Sequence, residues 1–123
     1  MASVCGERLT VLIVTWNSWG DLHRCLQSIR AANIPAAELL VFDNGSSDGT
    51  PEKVRQQFPE VRLECSPVNL GLPPAVNRGL RLARGEYVML LDVDTEVHPQ
   101  MPQRLLAYMD AHPEVALCAP HVY

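Results

Sequence analysis

Short apolar runs alternate with amphipathic stretches along this 123-residue chain, and few folds accommodate that rhythm. Leu9 to Thr15 is a near-continuous apolar run that reads as a strand. Ser18 and Asp21 then form a capping-box-like start. Leu22, Cys25, Leu26 and Ile29 follow at i, i+3, i+4 and i+7, one face of a helix that Asn33 and Pro35 stop. Leu39 to Phe42 is a second strand, ending at Asp43. Thr50, with Pro51 at the first helical position, opens a second helix through about Phe58. Val61, Leu63 and Cys65 alternate with Arg62 and Glu64, which predicts a half-exposed edge strand. Pro73 and Pro74 precede a third helix that turns Val76, Leu80 and Ala83 inward and stops at Gly85. Tyr87 to Leu91 is a fourth strand, read as buried. Pro99 opens a fourth helix carrying Leu105, Leu106 and Met109, and Val115 to Ala119 is a fifth short strand. Alternation at these intervals implies right-handed crossovers onto a parallel sheet. The fold class is therefore α/β: three α/β/α layers on a mostly parallel sheet of about five strands, with about four helices.

The length is that of one domain, 1–123. A net charge of −4 argues against a nucleic-acid partner, which needs a basic face. Lys53 is the only lysine and the arginines are scattered, so no polybasic membrane patch is present. The first apolar run is too short for a membrane span and badly flanked for a signal peptide. Cys5, Cys25, Cys65 and Cys118 form no C-x-x-C pair, which favours reduced thiols in the cytoplasm over zinc or a disulfide frame. His23, His98, His112 and His121 fit no metal spacing and read as surface or turn residues.

In open α/β sheets the ligand sits beyond the carboxyl ends of the strands. Those ends carry Thr15-Trp16-Asn17-Ser18, Asp43 to Gly49, Asn69-Leu70-Gly71, and Asp92 with Asp94. All are polar, glycine-rich or acidic. In extended chain Asp92 and Asp94 point to one side, and two adjacent carboxylates repel unless a hard divalent cation joins them. Taken alone, a D-x-D is more often a solvated strand end. Asp43 is an acceptor suited to a nucleobase N–H, and Trp16 offers a flat face for stacking. Packing against the first helix is the plainer reading of Trp16, and turn chemistry that of Asp43 to Gly49.

Four motifs in order decide between these readings. Val11 to Ser18, Val41 to Thr50, Asn69-Leu70-Gly71 with Ala75 to Gly79, and Ala83 to Asp94 resemble the nucleotide-binding half of the inverting glycosyltransferases of family 2, which have the GT-A fold, a Rossmann-like nucleotide-diphospho-sugar-binding architecture. The resemblance runs from about Leu9 to Tyr123. It implies a single nucleotide-sugar-binding domain, the N-terminal part of a longer glycosyltransferase domain. It also implies a nucleotide site of Thr15, Trp16, Asn17, Asp43, Asn44, Asn77 and Asp92, with Asp43 on the base and Asp92 near the ribose. Asp92 and Asp94 would hold a divalent Mg or Mn ion that bridges the diphosphate. The implied donor is a nucleoside-diphosphate sugar, of UDP or dTDP type ahead of GDP. The implied acceptor is a hydroxyl on a saccharide or lipid-linked molecule, met in the cytoplasm or peripherally at the inner face of the membrane.

The chain departs from the family pattern in two ways. The downstream Asp or Glu expected as general base has no counterpart here, since Asp110 and Glu114 flank the fourth helix as surface residues. Hence no catalytic residue is assigned, and a nucleotide-binding fragment with no transferase activity alone is the alternative reading. Val76 also stands where many members carry Arg. Uncovered apolar surface further predicts self-association into a homo-oligomer. Other classes fit less well. No G-x-G-x-x-G follows the first strand and no P-loop is present. A receiver domain would need Lys where His121 and Val122 stand. A D-x-D phosphohydrolase, the remaining enzymatic rival, normally carries that motif after its first strand.

Overall fold

A computed structural model of the chain describes residues 8–34 and 37–120. Cys5, Pro35, His121 and Val122, which figure in the sequence reading, lie outside the described residues. Four strands alternate with four helices: β1 (Leu9–Thr15), α1 (Trp19–Ala32), β2 (Ala37–Asp43), α2 (Thr50–Gln57), β3 (Arg62–Cys65), α3 (Leu72–Leu82), β4 (Tyr87–Leu91) and α4 (Met101–Ala111). The strands form one parallel sheet in the order β3-β2-β1-β4. The order reverses between β1 and β4, so their carboxyl ends border the crevice where such sheets take ligands.

Because successive strand residues face opposite ways, β1 feeds two cores. Leu9, Val11 and Ile13 meet Leu22, Cys25, Leu26 and Ile29 of α1, the face the sequence predicts. Leu12, with Leu40 and Phe42 of β2, meets Ala75 of α3 on the other side. Each fully buried Leu or Val contributes about 2 kcal/mol by leaving water.

α3 turns a different face inward from the one expected. Ala75 and Gly79 are buried, whereas Val76 is half-buried and Leu80 is 45% exposed. A side chain at Gly79 would put its Cβ 2.6 Å from Leu12 Cδ1. The small residues let the helix lie close against β1, and that closeness selects the face.

β4 is not the buried strand expected. It stands at the sheet edge with alternating exposure, Leu90 being 51% exposed. The expected fifth strand, Val115 to Ala119, has no regular structure and pairs with nothing among the described residues. An apolar run alone does not say whether a neighbour covers its second side. β3 does lie at the opposite edge, as its alternation predicts. The Ser18–Asp21 capping box does not form. The Ser18 hydroxyl donates instead to the Trp16 carbonyl at 2.8 Å.

The amino ends of the strands are locked by one buried carboxylate. Glu38 accepts from the Thr10 hydroxyl at 2.8 Å, the Arg84 N–H at 2.9 Å and Arg62 Nη1 at 3.0 Å. Thr10 in turn accepts from the Gly85 N–H at 2.8 Å. Burial alone would push the Glu38 carboxyl up; the hydrogen bonds from Arg84, Thr10 and Arg62 outweigh it and hold the group below the usual carboxylate range. This lock joins β1, β2 and β3 to the segment leading into β4 at one end and leaves the other end to the loops.

Candidate functional site

Thr15 and Asp43 are register partners where β1 and β2 end. The Asn44 N–H donates to the Thr15 carbonyl at 2.8 Å, which carries the ladder one step past the strands. Both side chains are 1% exposed. Asp43 Oδ2 accepts from the Ser46 N–H at 3.0 Å, a turn-forming contact typical of Asp. Asp43 Oδ1 and Thr15 Oγ1, however, are buried with no hydrogen-bond partner among the described residues. A buried polar atom left unpaired costs about 1–3 kcal/mol, so two of them at neighbouring strand ends make this the candidate position for a ligand.

The surrounding loops are clamped to one another. Asn17 takes the left-handed conformation, φ 48°, tolerable for its short polar side chain. Its N–H donates to Ser46 Oγ at 2.9 Å and its Oδ1 accepts from the Ser47 N–H at 2.8 Å. Asn44 reaches the next loop. Its Nδ2 donates to Asn69 Oδ1 at 3.1 Å and its Oδ1 accepts from the Leu70 N–H at 2.9 Å. Gly45, φ 84°, lies so near this loop that a Cβ would meet the Val68 carbonyl carbon at 2.6 Å. Asp48, just before the Gly49 N-cap of α2, accepts from the Thr50 hydroxyl at 2.5 Å and its N–H at 3.1 Å. Trp16 stands at the mouth, 51% exposed, rather than packed on α1. Asn77 is exposed on α3 and makes no side-chain hydrogen bond among the described residues.

Asp92 and Asp94 follow β4, but not in extended chain. The Thr95 N–H donates to the Asp92 carbonyl at 3.0 Å, closing a turn over the pair. Strand alternation therefore does not set their arrangement; the turn does. Both carboxylates are exposed and neither makes a hydrogen bond or ion pair among the described residues. The segment is held from behind, where the Val97 N–H donates to Ser28 Oγ of α1 at 2.8 Å. Burial pushes the nearby Cys25 thiol up to about 11, with the charges of Asp94 and Glu96 adding to it. Cys25 is thus an inert core residue.

Both aspartates line a hollow of about 370 Å3 between the carboxyl ends of β1 and β4 and the start of α3. Val14, Leu72, Val76 and Leu90 form its apolar wall, and Asp21 joins the two acids at the rim. No Lys, Arg or His is among its described lining residues. Asp21 and Leu90 were not foreseen here, because in sequence the first reads as a helix-capping acid and the second as core. Among the described residues no group of three His, Cys, Asp or Glu is poised around a metal position. No described helix is long and apolar enough to cross a membrane.

The profile of glycosyl transferase family 2 matches residues 10–123. The chain belongs to this family. One family relative, the uncharacterized glycosyltransferase YibD of Escherichia coli, is 32% identical over 116 residues, covering 91% of this chain and 33% of the relative. Among solved structures, the mannosyltransferase PcManGT of Pyrobaculum calidifontis, in complex with GDP-Man and Mn2+, superposes with a TM-score of 0.77 at 28% identity, over 83% of this chain and 32% of that one. TarS of S. aureus in complex with UDP-GlcNAc gives 0.76 at 27% identity, over 86% and 32%. The α/β fold is thus that of the GT-A glycosyltransferases. This family 2 chain spans about a third of the length of the relatives it matches.

Proposed function

We propose that this chain is the donor-binding domain of a family 2 glycosyltransferase, with the nucleobase held at Thr15 and Asp43 and a divalent cation at Asp92 and Asp94. The observation that carries the reading is the pair of unpartnered buried atoms, Asp43 Oδ1 and Thr15 Oγ1. Uracil and thymine present an N–H flanked by two carbonyls. Asp43 accepts the N–H and the Thr15 hydroxyl donates to a carbonyl beside it. Guanine presents two N–H donor groups side by side. One oxygen of Asp43 is already taken by Ser46, which leaves a single acceptor and favours uridine or thymidine.

The other residues divide into contact and support. Trp16 covers one face of the base by stacking. Asn17 and Asn44 hold the three loops at fixed spacing, and Asn77 borders the nucleotide from α3. Asp92 and Asp94, hard oxygen donors with uncommitted lone pairs, would hold the cation and suit Mg or Mn. When bound, the cation offsets charge developing on the departing diphosphate. The resemblance implies a single displacement in which the acceptor hydroxyl would attack the sugar carbon from the face opposite the diphosphate, forming the new C–O bond as the bond to the diphosphate breaks and inverting the carbon. No described residue is assigned as the base that takes the hydroxyl proton. Asp110, at the end of α4, is engaged by Arg8 at 2.7 Å and by the Tyr87 hydroxyl at 3.3 Å. A cytoplasmic site, peripheral to the membrane where a lipid-linked acceptor is used, accords with the free thiols Cys25, Cys65 and Cys118.

Thermal unfolding tests the reading. A ligand bound only by the folded state at a hundred times its Kd stabilises by about 2.7 kcal/mol. UDP with Mn2+ should therefore raise Tm by roughly 5–10 °C for a domain of this size, and by more than the sum of the two added singly. Purely additive shifts would contradict a joint site.

A further inference from the structure

We propose, resting on the donor-site reading above, that the hollow beside Asp92 and Asp94 receives the donor sugar and selects a 6-deoxyhexose over its 6-hydroxy counterpart. The hollow adjoins the carboxylates assigned to the cation, so the sugar carried by the diphosphate enters it next. Its volume of about 370 Å3 is ample for one pyranose ring and lies within the range of ligand pockets. What distinguishes it is its lining.

The wall that the ring meets is made of Val14 from β1, Leu72 and Val76 from α3 and Leu90 from β4. Leu72 and Leu90 are both more than half exposed, although each carries a bulky apolar side chain beside a strongly acidic rim. The polar side chains lining the hollow are all carboxylates: Asp21, Asp92 and Asp94. Two of these are assigned to the cation, and Asp21 is paired with Arg24. A fully hydroxylated hexose carries one hydroxyl on a rotatable exocyclic carbon, C6. Turned toward Val76 and Leu90, that hydroxyl gives up part of its water and gains no partner, which is unfavourable. A methyl in its place fills the same space against the same wall and gains apolar contact. The ring hydroxyls remain free to face the acidic rim and solvent.

The test compares donors that differ by one oxygen. The 123-residue chain with Mn2+ is titrated calorimetrically with dTDP-glucose and dTDP-6-deoxyglucose, with the corresponding manno pair, and with dTDP alone. A hydrophobic wall discriminates against an added hydroxyl by about ten- to a hundredfold, and the 6-deoxy donor should bind tighter by that factor in at least one pair. Val76→Thr supplies a hydroxyl partner and should narrow the ratio to about threefold or less. Leu90→Thr, at an exposed strand position, provides the same comparison if the helix substitution unfolds the chain. Equal affinities within both pairs, or a preference for the 6-hydroxy donors, would overturn the proposal. If dTDP and UDP themselves do not bind, the donor-site reading fails and this inference falls with it.

Discussion

Asp43→Asn should lower affinity for UDP by about a hundredfold and raise affinity for CDP. In the native site one carboxylate oxygen accepts from the Ser46 N–H at 3.0 Å and the other is buried and unpaired. The amide introduced by the substitution cannot serve both roles: its oxygen must stay on Ser46, because turning it away would set two donors against each other. The NH2 group therefore occupies the position of Oδ1 and meets the N–H of uracil donor to donor. Cytosine carries a bare ring nitrogen at that place and accepts from the amide. A hundredfold loss is about 2.7 kcal/mol, near the upper end for a buried hydrogen bond left unmade. Calorimetric titration of UDP and CDP against both proteins measures the exchange. An unchanged UDP affinity would remove Asp43 from the base.

Removal of divalent metal has the second large effect. The diphosphate would approach the unpaired carboxylates Asp92 and Asp94, beside a hollow with no cationic side chain among its described lining residues. The start of α3 gives little help. Pro73 and Pro74 in its first turn have no N–H, and the Gly71 N–H is taken by Asn69 Oδ1 at 2.7 Å. Like charges at such range repel by about 1 kcal/mol per pair even in water. In chelator, UDP should bind no tighter than uridine. With Mn2+ it should bind at least about a hundredfold tighter, and Asp94→Ala should collapse most of that gap. A gap that survives Asp94→Ala would put the metal elsewhere.

Much of the fold was legible because burial writes itself into composition. β1 and β2 are apolar on both faces, and β3 alternates as an edge strand does. The four residues of α1 at helical spacing all meet the sheet, and Ala32 joins them one turn on. The misses share a physical cause. At α3, pattern reading favours the larger apolar residues Val76 and Leu80, but close packing on Leu12 needs Ala75 and Gly79. At β4, five apolar residues look alike whether the strand is central or at an edge. The expectation that strand alternation turns Asp92 and Asp94 to one side does not hold, since the pair lies in a turn rather than in extended chain. In the candidate site, Thr15 and Asp43 were legible as types, whereas their pairing depends on the β1–β2 register. Asn17 and Asn44 were legible as polar loop residues, but not as the bonds that join three loops. Asp21 enters the hollow only because α1 begins beside it, and no spacing rule reports that.

The central claim is that one site, formed at the carboxyl ends of β1, β2 and β4, takes nucleotide and metal together. Amide NMR of the 15N-labelled chain tests it most directly. Mg2+ with UDP should shift the amides of Thr15 to Asn17 and Asp43 to Ser47. Replacing Mg2+ by paramagnetic Mn2+ should broaden Asp92 to Thr95 first, and more strongly with UDP than without. Broadening centred instead on the exposed Glu86 and Asp110 cluster, or UDP shifts that avoid Thr15 and Asp43, would contradict the account.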